Sequence, residues 1–373
     1  MSLYLDTAAS SSLDSRVLKA MAPYLSEQYG NPSSPHALGE RAAKALVGAR
    51  TLLAQKLGAR AHELIFTSGT SESDSWALQG LARAYPKKKR IVVSALEHAA
   101  VMETCEYLKT QGYTIVIAPV NREGIVELSF IEHQLKKHSR QTLVVSVMHA
   151  SNVLGTIQPI AAVGALCRKH DVLFHTDAAQ TFAKLDIDVR TMKIDLLSAS
   201  AHKINGPKGV GLLYVRDGIK IEPLIFGGGQ ERGLRGGTEN VPGVVGFAKA
   251  AELFDSKKFL RLVGTKERLI RLLEALGATI NGSRNGLSNI IHASFSEMDA
   301  RLLVAYLSQK GMYISTGSAC ESKSGKEEAS LRAIGLTSAE IRGSVRFSLE
   351  KALTDTEIEH IKHELSKALK VLR

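Results

Sequence analysis

From about residue 40 to residue 215, short apolar runs alternate with longer stretches of helical periodicity. The runs are ELIFTS, RIVVSA, TIVIAP, TLVVSVMH, VLFHTD, DLLSAS and GVGLLYV. Apolar segments this short, separated by helix-length spacers, predict parallel βαβ units and a doubly wound, mostly parallel sheet. Several runs end directly in polar residues: Thr67-Ser68-Gly69, Glu97-His98, His149 through Asn152, Asp177, and Ser200 through Lys203. Ligands of open α/β sheets bind beyond the carboxyl ends of the strands, so these clusters are expected to converge on one crevice.

The pattern changes after residue 225. FGGGQERGLRGGTENVPG, residues 226–243, is rich in glycine and charge and reads as a long irregular loop, a length that in a compact domain usually carries function. A long helical stretch over about 244–276 follows, then the strands LSNIIHASF, MYIST and SVRFSL and an amphipathic helix from about 354. A chain of 373 residues suits one large domain with a smaller companion. The expected partition is a large α/β domain over 15–255 and a smaller α/β domain built from 1–14 and 256–373. There is no internal repeat and no low-complexity tract.

Composition narrows the function classes. A hydrophobic content of 44% supports ordinary globular folding. The first residues, MSLYLDTAAS, lack a basic and then apolar leader, and no run offers the ~18 apolar residues of a bilayer span, so a soluble cytoplasmic protein is expected. The formal charge of +11 is spread along the chain. Its one dense run, Lys87-Lys88-Lys89-Arg90, falls between an expected helix and strand and reads as a solvated loop, so direct nucleic-acid contact is not expected. Three cysteines make no disulfide framework, and none has metal-ligand spacing, so no metal is expected. Cys105 and Cys167 sit among apolar residues at helical spacing, as small buried hydrophobes do. Cys320 lies in the small, polar run STGSACESKSG, a loop setting suited to a nucleophilic thiol.

Three motifs carry candidate chemistry. Thr67-Ser68-Gly69-Thr70-Ser71-Glu72 stands after a strand and before a helix, where free N–H groups and the helix dipole favour an anion; Ser71 or Thr70 acting only as a helix cap is the plainer alternative. Neither GxxxxGK[ST] nor GxGxxG is present, which favours a single phosphate over a nucleotide. Asp177 ends VLFHTDAAQ, placed either to pair with a protonated ring nitrogen or to cap the next helix. Lys203 ends Ser200-Ala201-His202-Lys203, where an apolar strand and its neighbours can desolvate an amine enough to form a Schiff base.

In this order TSG-S-ES, EHAAV, SN-LG, HTDAAQ, SASAHK-GPKG, RGGTEN, TGSAC and VRFSL resemble the cysteine desulfurases, pyridoxal 5'-phosphate (PLP) enzymes of fold type I. The resemblance runs from YLDTAAS and GNPSSPHALG to the segment around Arg346. It implies that Lys203 bonds the cofactor, that Asp177 keeps its ring nitrogen protonated, and that Gln180 and Asn152 hydrogen-bond the ring hydroxyl. His98 would stack on the ring and transfer protons, while Thr70, Ser71, Ser200 and His202 hold the phosphate. Thr238 from a partner subunit would complete that site, which implies a homodimer. Arg346 would clamp the carboxylate of L-cysteine, with Asn152 beside it. Cys320 would take the sulfur as a persulfide and pass it to an acceptor protein for iron–sulfur assembly or tRNA thiolation.

The chain also departs from the family's pattern. Ser151-Asn152-Val153 stands where Asn-Asn-Glu is common, Ser73-Asp74-Ser75 where adjacent asparagines are usual, Ala201 for a glycine, and Glu321 for a small hydroxyl residue. None removes a catalytic group. A selenocysteine lyase-like enzyme or an aminotransferase would share Lys203 and Asp177, but such transaminases need no loop thiol, so Cys320 favours desulfuration. A non-catalytic scaffold or nucleic-acid-binding protein on the same fold has only the positive charge in its support.

Overall fold

The computed structural model describes residues 2–316 and 327–372. After a short β1 (Leu3–Tyr4), each of the seven expected runs forms a strand: β2 (Leu64–Thr67), β3 (Arg90–Ser94), β4 (Thr114–Ala118), β5 (Thr142–Ser146), β6 (Leu173–Asp177), β7 (Leu196–Ser200) and β8 (Gly211–Val215). They make one sheet in the order β2-β8-β7-β6-β5-β3-β4. Pairing is parallel from β4 through β7, while β8 runs antiparallel to both β7 and β2. The reason is length. Residues 201–210 hold only a short turn, Ala201–Lys203, and a parallel return needs a crossover of a dozen residues or more.

Helices α1 (Ser15–Ser26), α2 (Ala37–Gln55), α3 (Thr70–Ala84), α4 (Ala99–Thr110), α5 (Leu128–His138) and α6 (Ile160–Lys169) are interleaved with these strands. Consecutive strand residues feed different cores. Val145, Leu197 and Leu212 pack with α2, α5 and α6, whereas Val144, Leu196 and Leu213 pack with α3 and α4. With both faces covered, the strands read as continuous apolar runs rather than alternating ones.

A second sheet joins β9 (Ala278–Asn281), β10 (Ile290–Phe295) and β12 (Ser344–Ser348) antiparallel, and β11 (Met312–Tyr313) pairs parallel with β1. A third hydrophobic cluster gathers Leu3 and Leu5 with apolar residues between Phe259 and Leu369. The helical stretch expected over 244–276 is instead three helices: α7 (Val241–Leu253), α8 (Ser256–Leu260) and α9 (Val263–Ala275). Asp255 breaks it, since its side chain accepts from the Lys258 N–H and starts a new helix. The last helix, Asp355–Leu372, begins where expected. Among the described residues, no helix is long and apolar enough to cross a membrane.

The glycine-rich loop is pinned rather than loose. Buried Glu231 receives Arg50 through two bonds of 2.6 and 2.7 Å and the Phe66 N–H at 3.0 Å. Closer to the sheet end, Arg235 bonds Glu72 of α3 at 2.9 Å.

Candidate active site

A cavity of about 380 Å³ opens beyond the carboxyl ends of the parallel strands. Ser68 through Glu72 reach it from the β2–α3 junction, His98 from the start of α4, and Met148, Ala150 and Asn152 from the segment after β5. Asp177 and Gln180 follow β6, and Ser200, His202 and Lys203 follow β7. Gly209 also lines it, because antiparallel β8 starts at the end where its neighbours finish. Arg346 of β12 and Ala8 through Ser10 close the remaining side. The polar strand ends do converge on one crevice.

Lys203 Nζ donates to the carbonyl oxygens of Ala8 at 2.6 Å and Ala9 at 2.7 Å. The amine is thus presented at the cavity wall by the turn after β7 and steadied by the N-terminal segment. Its neighbour His202 is drawn down to about 4, chiefly by burial and then by Lys203, Lys208 and Lys184, so its imidazole is neutral at pH 7. The Gln180 amide, itself buried, donates to Ala8 O at 2.9 Å.

At the opposite end, α3 begins at Gly69, which offers no side-chain cap. The capping alternative for Thr70 and Ser71 therefore fails. Thr70 Oγ1 is buried without a hydrogen-bond partner among the described residues. A helix start with open N–H groups and an unpaired hydroxyl beside it is an anion site. Glycine at 211 lets α3 approach this closely, since a Cβ there would meet the Gly69 backbone at 2.7 Å.

Beneath the cavity lies an unusual group of buried carboxyls. Burial raises Asp177 above the ordinary range, while His98, the Ala179 N–H and Lys203 oppose the rise. No helix follows β6, so Asp177 is not a helix cap; its Oδ1 accepts the Ala179 N–H at 2.8 Å within a turn while the residue lines the cavity. Glu97 is pushed up to about 8 by burial, against hydrogen bonds from Ser94 and the Met148 N–H. Asp74 stands well above its usual value through burial and then the nearby Asp177. Asp74 lies 3.5 Å from His175, which burial lowers to about 3. His175 bonds the hydroxyls of Ser146 and Ser198. Neutral neighbours leave Asp177 as the carboxyl best placed to answer a cation in the cavity.

Arg346 is 1% exposed, and Nη1 donates to Asn152 O at 2.9 Å while Nη2 donates to Asp6 at 2.7 Å. His98 Nδ1 accepts the Ala100 N–H at 3.1 Å, which leaves the neutral ring's proton on Nε2. Of the expected residues that the structure describes, one is not in the cavity. Thr238 is exposed on the 226–243 loop, and Cys320 lies outside the described residues. Cys105 and Cys167 are buried as expected, with burial pushing the first up to about 12 and the second higher still.

The class-V aminotransferase family model matches residues 3–361. The cysteine desulfurase IscS of Methanosarcina thermophila is 39% identical over 377 residues, covering 100% of this chain and 93% of that protein. The protein of the same name from Dictyoglomus turgidum is 41% identical over 378 residues, covering 100% and 95%. The chain belongs to the cysteine desulfurases of the class-V aminotransferase family. Solved structures agree. A NifS-like protein, 37% identical, superposes with a TM-score of 0.93 over 100% of both chains. SspA in complex with cysteine, 38% identical, gives 0.84 over 95% of this chain and 100% of that one.

Cysteine desulfurases use PLP, and the cavity's residues fit it. The unpaired Thr70 hydroxyl and open start of α3 suit a phosphate, the buried Asp177, whose charged form His98, the Ala179 N–H and Lys203 favour, suits a protonated ring nitrogen, and Lys203 supplies the amine. Sequence reasoning missed the Asp6 partner of Arg346, the Ala8 and Ala9 carbonyls, and buried Lys184. Of these, only YLDTAAS carried a signal, and it was legible as a motif without a role.

Proposed function

We propose that this desulfurase moves the sulfur of L-cysteine onto Cys320, releases L-alanine, and hands the sulfur to an acceptor protein. The convergence of Lys203, Asp177, His98 and Arg346 on one cavity carries the reading. Thr70, Ser71, Ser200 and His202 would hold the cofactor phosphate, Asp177 the ring nitrogen, and Gln180 and Asn152 the ring oxygen, with His98 over the ring face. When bound, PLP supplies an aldehyde that captures the substrate amine and a protonated ring that draws electron density from its Cα.

Arg346 orients the substrate by its carboxylate, for which a planar guanidinium is suited. The Lys203 amine would take the Cα proton of the substrate and later return one. The Cys320 thiolate attacks the substrate sulfur; an S–S bond forms as the C–S bond breaks. His98 moves a proton through Nε2. Cysteine and the enzyme thiol thus become alanine and an enzyme persulfide, and the atoms balance without an outside oxidant. The carrier thiol needs a reducing compartment, so the proposal includes a cytoplasmic setting.

Thr238, exposed on its own subunit, would complete the phosphate site of a second copy, making the enzyme a homodimer with shared sites. Residues 1–14 and 256–373 would form the smaller unit that carries Cys320, against a larger unit over 15–255. Incubation with 35S-cysteine, with alanine assayed and the label mapped by peptide, tests the whole reading. Label on Cys320 with matching alanine is expected; alanine without protein-bound sulfur would overturn it.

A further inference from the structure

Lys184 is a buried amine that the chemistry above does not use. It is 3% exposed and sits 5.8 Å from the Phe259 ring centre. The preceding residue, Ala183, has φ +60°, a left-handed conformation that L-residues adopt at a cost and keep only when the surroundings demand it. Lys184 Nζ donates to Gln180 Oε1 at 3.4 Å, while Gln180 Nε2 donates to Ala8 O at 2.9 Å.

These two neighbours fix which way the Gln180 amide faces. Ala8 O only accepts, so it demands the NH2 side. As an ammonium, the Lys184 side chain has only N–H to give and so calls for the oxygen side. The same Ala8 oxygen also receives Lys203 at 2.6 Å. A turned amide would set its oxygen against Ala8 O and its NH2 against the Lys184 ammonium, losing both bonds.

We propose that Lys184 is a positioning residue that holds the Gln180 amide in the one orientation offering N–H, and no lone pair, toward an oxygen acceptor beside Lys203. The acceptor is an anionic oxygen of the phenolate type, and the inference rests on the reading of Gln180 as a partner of the cofactor ring oxygen. The second N–H of Gln180 Nε2, beyond the one given to Ala8, is the donor the site provides.

The test is a double-mutant cycle read by PLP affinity and by the absorbance maximum of the bound cofactor. Lys184→Met is expected to weaken PLP binding about tenfold, the worth of one hydrogen bond to a charged group, and to shift the absorbance maximum. Combined with Gln180→Ala it should cost nothing more than Gln180→Ala alone. Lys184→Gln, which keeps an N–H donor in place, should bind PLP within about twofold of the parent, a difference well under 1 kcal/mol. Losses that multiply in the double variant, an unshifted Lys184→Met spectrum, or a Lys184→Gln variant as weak as Lys184→Met would each overturn the inference. A parent protein that bound no PLP would instead overturn the functional reading.

Discussion

Arg346 Nη2 donates to Asp6 Oδ1 at 2.7 Å, joining β12 to the N-terminal segment, with the guanidinium 1% exposed and the carboxylate 17%. Nη1 meanwhile holds Asn152 O, and Nε has no partner among the described residues. A substrate carboxylate bound there would meet a cation whose plane is already set. Asp6→Asn keeps the shape but loses the charge that pins the guanidinium, so KM for cysteine should rise about tenfold with a smaller change in kcat. Arg346→Lys, which cannot bind bidentately, should raise KM by roughly a hundredfold. Steady-state alanine release measures both; an unchanged KM in either variant would remove Arg346 from the carboxylate site.

The amine of Lys203 is bound to two backbone carbonyls, so its removal has a structural consequence as well as a chemical one. Lys203→Ala should yield no borohydride-trapped cofactor adduct, and it should also speed amide exchange around Ala8 and Ala9. Loss of charge-assisted bonds of this kind costs about 1.5–3 kcal/mol. Peptide mass spectrometry reads both effects on one sample. Trapped cofactor on another lysine at equal yield would contradict the assignment.

Of the three cysteines, Cys105 and Cys167 have thiols that burial holds in the protonated form at neutral pH. The thiolate is the nucleophile, so neither is suited to receive sulfur. Cys320→Ser should therefore keep the yellow cofactor while persulfide labelling vanishes and alanine release falls by on the order of a hundredfold or more. Persulfide in that variant at parental yield would place the sulfur elsewhere.

The large sheet was legible because its strands are buried on both faces and stand out as apolar runs between helices. The antiparallel turn of β8 was less so, since nothing in GVGLLYV marks direction; the shortness of 201–210 is the signal that was there to use. Similarly, β9 hides in ATIN, four residues with no apolar run, and Asp255 divides a helical stretch whose periodicity alone looks continuous. Single cavity residues at strand ends could be placed from local sequence. Pairs such as Asp6 with Arg346 or Gln180 with Ala8 depend on contacts between distant segments, and no local pattern encodes them.

Glu97 gives the apo protein a pH dependence with a defined sign. In the fold it holds its proton up to about pH 8, whereas the ordinary glutamate value is 4.5. Between those values the folded state binds more protons than the unfolded one, so Glu97's contribution is full below pH 4.5 and is lost as pH rises through 8. Glu97→Gln, the isostere of the neutral acid, removes that loss. Across pH 6 to 8 the variant should gain on the parent by about 1.4 kcal/mol per pH unit in urea denaturation of cofactor-free protein. His149 and His175, lowered by burial to about 4 and about 3, act with the opposite sign and destabilise both proteins as pH falls below 6.5. Lys184, lowered to about 7, titrates in this window too, but it is present in both proteins and cancels in the difference. Stability curves that run parallel from pH 6 to 8 would show that Glu97 is ionised in the fold, and that Asp177 shares its surroundings with a second negative charge.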